Sequence, residues 1–274
     1  MKLKSLGKVF ELDPENNFVY EKNKKLSRVL IDFINITLDC FAANHNIDVH
    51  SIYLRGSCLD RDVVDRDTFD IDLNIVHEDE SIEPSTWLHH DYHPQIIKKM
   101  EELHGFYVLP DVDIRHKNVF LRKTDVRFYS MKIWGEEDLS ISTISHSKIV
   151  KYFSDLYDNE SNHSISQVKI AKEKLDPISV RIAAKVFYRN FGLKVLLENG
   201  KWSRSVYQCH NALIEKYPKY SKELGNILDL FLNVESYSSK QIIDALDEMQ
   251  VVIECLYYKK SSPYIVKVYY ADKY

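Results

Sequence analysis

Two short stretches of this chain hold residue types that could do chemistry together. The first is Tyr53-Leu-Arg-Gly-Ser-Cys58, where Gly56 and Ser57 follow a strand-like run. A glycine there lets backbone come close to a ligand, and Ser57 offers a hydroxyl and an N–H to a phosphate oxygen. The second is Phe69-Asp-Ile-Asp-Leu73, with Asp70 and Asp72 two apart. On a strand, residues i and i+2 project from one face. Two carboxylates so placed can share hard divalent cations, which prefer oxygen ligands. A paired-metal site of that kind stabilises both the attacking and the leaving oxygen of a phosphoryl displacement. Each half alone has a plainer reading, a solvated strand face or an ordinary turn. Their order, the strand attached to each, and the separation of Ser57 from Asp70 favour the joint one.

The elements that must position these residues follow from apolar spacing. Leu26, Leu30, Phe33, Thr37 and Phe41 recur at helical intervals, predicting a helix over 23–44. Residues 50–55 and 69–76 predict strands; in the second, Phe69, Ile71, Leu73 and Ile75 face one way while Asp70, Asp72 and Asn74 face the other. Pro94 opens a helix with Ile96, Met100 and Leu103 on one face, and 106–114 and 125–134 predict further strands. Beyond about Ser140 the pattern is helical. Asp176-Pro177 has the form of an N-cap followed by proline at the first helical position, and Asn199-Gly200 that of the matching stop. Ser203 and Ser239 are expected to cap two later helices, the first ending at Tyr217-Pro218 and the second running past Val252 and Leu256. The tail, 264–274, alternates weakly. The expected class is α+β: an N-terminal mixed sheet in 1–140, then a helical bundle in 141–274.

Composition sets the outer bounds. A chain that is 45% hydrophobic and 28% charged folds in water, and a net charge of -4 gives no footprint of a nucleic-acid coat. No apolar run reaches the roughly 20 residues needed to span a bilayer, and the first residues lack the apolar core of a signal peptide. Cys40, Cys58, Cys209 and Cys255 are scattered, as in reduced proteins. A cytoplasmic protein with no membrane partner is expected.

Leu54-Arg-Gly-Ser57 with Phe69-Asp-Ile-Asp-Leu73 resembles the signature of the DNA polymerase beta superfamily of nucleotidyltransferases. Three further segments are similar to its bacterial aminoglycoside-nucleotidyltransferase-like branch. They are Met131-Lys-Ile-Trp-Gly-Glu-Glu-Asp-Leu139, Lys185-Val-Phe-Tyr-Arg-Asn-Phe191, and Trp202-Ser-Arg-Ser-Val-Tyr-Gln-Cys209 followed by Lys216-Tyr-Pro218. The resemblance covers about 45–235. The loop after Ser57 lacks the glycine that relatives often carry there.

The resemblance implies a magnesium-dependent transfer of a nucleoside monophosphate, AMP from ATP, to an acceptor hydroxyl, with release of pyrophosphate. It implies phosphates over Gly56-Ser57, two magnesium ions on Asp70 and Asp72, and a third carboxylate from a neighbouring strand that completes the metal site or takes the hydroxyl proton. Asp113 is favoured for that role by its strand-like neighbours Val112 and Ile114; Asp111, behind Pro110, and Asp125 are the alternatives. Residues 1–140 would form the catalytic domain and 141–274 a helical domain across a cleft. Lys185 and Arg189, four apart and so on one helical face with Arg181, would meet the triphosphate. Against this stands an ordinary solvated basic face. Tyr207 is expected in the core. A small-molecule acceptor of the aminoglycoside kind fits the resemblance best; a protein or RNA acceptor, or a non-catalytic nucleotide-binding module, are the alternatives. Oligomeric state stays open.

Two other clusters are set aside. His89-His-Asp-Tyr-His93 lacks a placeable fourth zinc ligand. Asp60, Asp62, Asp65 and Asp67 lack the glycine and glutamate of a calcium-binding EF-hand loop.

Overall fold

The apolar half of each alternating run goes to one face of a sheet and the polar half to the other. The structure, a computed structural model, describes residues 8–22, 25–44, 47–59, 69–82, 93–105 and 108–258, with backbone alone at 44, 57, 69–70, 109, 154–162 and 257–258. In chain order the elements are β1 (Phe10–Glu11), β2 (Asn17–Val19), α1 (Arg28–Asn44), β3 (Val49–Arg55), β4 (Phe69–His77), α2 (His93–His104), β5 (Val108–His116), α3 (Lys117–Arg122), α4 (Thr124–Phe128), β6 (Ser130–Gly135) and β7 (Thr143–Ser145). Then come α5 (His146–Lys174), α6 (Pro177–Glu198), β8 (Lys201–Trp202), α7 (Val206–Lys216), α8 (Ser221–Asn233) and α9 (Ser239–Tyr258). The described chain forms two units, one of Asp13–Ser145 and one of Met1–Leu12 with His146–Tyr274.

In the first unit, four strands form a mixed sheet in the order β5-β4-β3-β6. β3 runs antiparallel to both β4 and β6, while β4 and β5 are parallel. Ile52, Leu54, Ile71, Leu73, Ile75, Val112 and Ile114 are buried. Helix α2 lies against β5 and α1 against α2. Asp32 lies between the two helices, bonding Arg28 within α1 and standing 3.2 Å from His104 Nε2 of α2. On the opposite face, Tyr53 stacks on Phe120 with ring centroids 4.6 Å apart, within a cluster holding Val76, Val126 and Leu139. β2 pairs with β7 at the end of this unit and buries Phe18.

The second unit is a bundle of α5 to α9, with α6 packed on α5, α7 and α8. Asp176 caps α6 as expected: its carboxylate accepts from the Ser179 N–H at 2.9 Å, Pro177 opens the helix, and Asn199-Gly200 ends it. Ala183, Ala184, Phe187 and Tyr188 are buried. The Tyr188 hydroxyl donates to the Leu224 carbonyl at 2.5 Å, joining α6 to α8.

Several expectations are corrected. Residues 124–128 are helical, and the strand begins only at Ser130. Val126 and Phe128 alternate as strand residues do, yet one short helical turn buries both, because Arg127 bonds the carbonyls of Leu139 and Leu121 and the Tyr129 N–H returns to Asp125. Ser205, not Ser203, is the N-cap residue of α7. Ser203 is buried; its hydroxyl donates to the Lys8 carbonyl and accepts from the Ser205 N–H. The last helix is capped by Ser238, one residue earlier than expected: its N–H donates to the Gln241 side chain and its hydroxyl accepts from the Gln241 N–H, a reciprocal capping box. Leu103 shares the helical face of Ile96 and Met100 by spacing but is exposed at the end of α2, whereas those two are buried. The stretch expected to be helical, 141–274, also includes two short strands, β7, antiparallel to β2, and β8, antiparallel to β1. His89 to Tyr92, Asp60 to Asp67 and the tail 264–274 lie outside the described residues. Among the described residues no helix is long and apolar enough to cross a membrane.

Candidate active site

Register decides which side chains meet. Arg55 on β3 stands opposite Asp72 on β4, and Asp72 stands beside Asp111 on β5. One step along the same face, Tyr53 opposes Asn74, and Asn74 stands beside Asp113. Backbone alternation puts Asp70 on that face too, paired with Leu109. The side chains of Asp70 and Ser57 lie outside the description.

The strand β3 ends at Arg55, and the chain turns at once into a short 3-10 segment, Gly56–Leu59. Gly56 has φ +81°, a conformation that side chains resist. A Cβ placed on Gly56 would stand 1.6 Å from the Asp72 Oδ2 and 2.7 Å from its Cγ. The space left by the missing side chain is therefore filled by the Asp72 carboxylate. The two halves of the motif are one physical unit. Cys58 turns inward, fully buried, with its thiol donating to the Arg55 carbonyl at 2.9 Å and closing the turn.

Arg55 points into the carboxylates. Its Nη2 lies 3.0 Å from Asp113 Oδ2, 3.4 Å from Asp111 Oδ2 and 3.7 Å from Asp72 Oδ1. Burial works against the Arg55 charge, but Asp72, Asp111 and Asp113 outweigh it and hold the pKa above its usual value. Asp113 accepts a second guanidinium bond, from Arg115 Nη2, and Arg115 Nε reaches Asn74 Oδ1 at 3.4 Å. Asp113 is thus enclosed, with its side chain 9% exposed, whereas that of Asp111 is 53% exposed. Lys123 borders the same group. Burial lowers its pKa, helped by Arg115, while Asp113 and Asp125 oppose the shift. Asp125 sits in the first turn of α4 rather than on a strand.

The structure therefore brings Gly56, Asp72, Asp111 and Asp113 together, with the Ser57 and Asp70 backbones adjoining. Lys185 and Arg189 are half-buried on α6, in the other unit. Their neighbour Arg181 is committed within that unit: it makes a two-pronged pair with Glu235 at 2.7 Å and donates to the Phe231 carbonyl. The Arg189 charge acts on Cys209, whose thiol burial nonetheless pushes up to about 12. Tyr207 is half-buried on α7.

The oxygens of Asp72, Asp111 and Asp113 suit a hard cation: one positively charged nitrogen already lies within 4 Å of all three. Among the described residues, no three His, Cys, Asp or Glu side chains close tightly enough by themselves to hold a metal ion. Arg55 and Arg115 were not singled out from sequence. The available signal was charge balance: Arg55 ends the first strand and Arg115 follows Asp113 at i+2, on the face that carries the carboxylates.

The chain matches no protein-family model and no curated protein. Among solved structures it is similar to the spectinomycin adenyltransferase AAD(9) from Enterococcus faecialis, determined with ATP and spectinomycin. The identity is 12% and the TM-score 0.48, over 82% of this chain and 99% of that one.

The turn after Gly135 is pinned to the same strand. The Tyr53 hydroxyl donates to the Glu137 carbonyl at 3.1 Å and accepts from the Leu139 N–H at 2.7 Å. The Gly-Glu-Glu-Asp-Leu segment therefore buttresses β3 next to Arg55, without presenting its acids to the carboxylate cluster.

Proposed function

We propose that this chain is a nucleotidyltransferase that moves AMP from ATP to an acceptor hydroxyl and releases pyrophosphate. The observation that carries the reading is the convergence of Asp72, Asp111 and Asp113 on one cationic nitrogen, above a glycine turn shaped around Asp72. The motif resemblance to the polymerase beta superfamily supports the same reaction.

Asp70, Asp72 and Asp111 would hold magnesium, which when bound supplies positive charge to the attacking and leaving oxygens. Asp111 is the better third carboxylate than Asp113, because it stands level with Asp72 and is open, while Asp113 is engaged by two guanidinium groups. The Ser57 hydroxyl and N–H take a phosphate oxygen. Asp111 receives the proton of the acceptor hydroxyl as its oxygen attacks the α-phosphorus, and the bond from that phosphorus to the bridging oxygen breaks. Asp113, fixed by Arg55 and Arg115, keeps the strand face in place. Lys185 and Arg189 offset triphosphate charge. Positioning and electrostatics then supply most of the acceleration. A small hydroxylated, cationic acceptor of the aminoglycoside kind fits a site rich in carboxylates, and scattered thiols fit the reducing cytoplasm.

The test is calorimetric titration of ATP with and without magnesium, followed by pyrophosphate release with a panel of aminoglycosides. Asp70→Asn and Asp72→Asn should each abolish transfer and leave the far-ultraviolet circular dichroism unchanged. An Asp70→Asn protein with near-normal turnover would sink the assignment.

A further inference from the structure

Arg55 is an odd neighbour for carboxylates that are to hold a divalent ion, because it brings a positive charge into the place where the ion must go. Its contacts are graded. The bond to Asp113 is a full hydrogen bond at 3.0 Å; the reach to Asp111, 3.4 Å, is at the limit of one; the approach to Asp72, 3.7 Å, is Coulombic only. The guanidinium is held there by its surroundings. The side chain is 12% exposed, its Nε is buried without a hydrogen-bond partner, and the backbone is locked by pairing on both sides, to Asp72 and to Ser130. A cation so enclosed cannot trade its carboxylates for bulk water at little cost.

Asp113 has a second guanidinium, from Arg115, whereas the Arg55 guanidinium reaches Asp113, Asp111 and Asp72 at once. Removing Arg55 would take its positive charge from between two acids, Asp72 and Asp111, that stand side by side on adjacent strands. Asp72 could not retreat toward the turn, where Gly56 already receives its Oδ2. Among the described acids of this face, Asp111 is the one open to a ligand, 53% exposed against 13% for Asp72.

Resting on the metal-site reading above, we propose that Arg55 is a resident counter-cation with which the divalent ion competes: it holds Asp72 and Asp111 together before the ion arrives, yields both to the ion, and stays on Asp113. Arg55 is in this sense a positioning residue. It also keeps affinity for a bare divalent ion low, since one guanidinium charge opposes the ion at close range.

The test is titration of Mn2+ alone, without nucleotide, followed by calorimetry and by the loss of the free Mn2+ paramagnetic resonance signal. Arg55→Gln should bind Mn2+ about tenfold more tightly or better. Arg55→Lys, which keeps the charge, should stay within about threefold of the wild type. Because Arg55→Gln could fail to fold, Arg55→Met, which keeps the stem without the charge and leaves Asp113 paired with Arg115, is the second variant, and the same tightening is expected. Adding Asp72→Asn should abolish it. Unchanged or weaker affinity in folded Arg55→Gln or in Arg55→Met overturns the inference and leaves the metal site standing. Tightening that survives Asp72→Asn, or that appears equally in Arg55→Lys, also overturns it. If no variant binds Mn2+ at millimolar concentration, even with the counter-cation gone, the metal-site reading falls as well.

Discussion

Replacing Gly56 by alanine puts a methyl group where the Asp72 carboxylate lies. Two costs follow, and they can be separated. The first is backbone strain at φ +81°, roughly 1–2 kcal/mol for a residue with a Cβ. The second is the clash. The Asp72 Oδ2 would stand 1.6 Å from the new carbon, and ordinary contact begins at 3.4 Å, so the oxygen must retreat by about 1.8 Å. The atom in the way is the far end of a rotatable side chain, so the retreat is cheap for stability, roughly 0.5–1.5 kcal/mol for an off-rotamer carboxylate. For catalysis it is expensive: misplacing a reacting group by about 1 Å costs on the order of 100-fold. Gly105→Ala is the matched control. Gly105 has φ +71° and nothing within 4 Å of its would-be Cβ, so alanine there meets strain without a clash. Urea unfolding should show both variants losing comparable stability, Gly56→Ala slightly more. Mn2+ binding and nucleotide transfer should fall about 100-fold only in Gly56→Ala. If Gly56→Ala loses stability but retains wild-type metal binding and turnover, Asp72 is not seated against Gly56 in the working site, and the coupling between the two motifs is wrong.

Asp111→Asn and Asp113→Asn should part company. The first should lose transfer with the fold intact; the second should lose about 3–5 kcal/mol of stability, because it removes the shared partner of two largely buried guanidinium groups, and unfolding curves beside turnover will show whether the reverse holds. Lys185→Ala should weaken magnesium-dependent ATP binding several-fold with little change in stability; equal dissociation constants would remove Lys185 from the nucleotide site. Stability should fall on acidification. Burial holds His77 and His210 below the usual histidine value, with His116 adding to the shift of His77, so the unfolded chain takes up protons that the folded chain refuses. The stability is full above about pH 6.5 and is lost as the pH drops through it toward the folded-state values; His77→Gln should flatten part of that slope in unfolding curves between about pH 8 and about pH 5.5. A flat profile would contradict the buried neutral histidines.

Much of this protein is written in short-range pattern. The alternation from Phe69 to Ile75 settles that Asp70 and Asp72 share a face, because a strand has no other way to bury Ile71, Leu73 and Ile75. Asp176-Pro177 and Asn199-Gly200 bracket α6 because capping is chemistry between residues three or four apart. Where two local readings compete, sequence cannot choose. Thr124–Phe128 is too short for a helical period to show, and bonds from Arg127 to distant carbonyls decide it. The ranking of Asp111 and Asp113 rests on an alignment between β4 and β5 that no local pattern contains. A parallel strand slid by two residues keeps every side chain on its face but changes which acid stands beside Asp72. Sequence reasoning favoured Asp113 for its apolar flanks; those flanks go to the other face of β5, and Asp113 itself is engaged by Arg55 and Arg115. Gly56 was legible as a place where something must come close. That the visitor is the Asp72 carboxylate, and that Arg55 lies among the acids, depends on antiparallel pairing across a loop, and only the folded sheet supplies it.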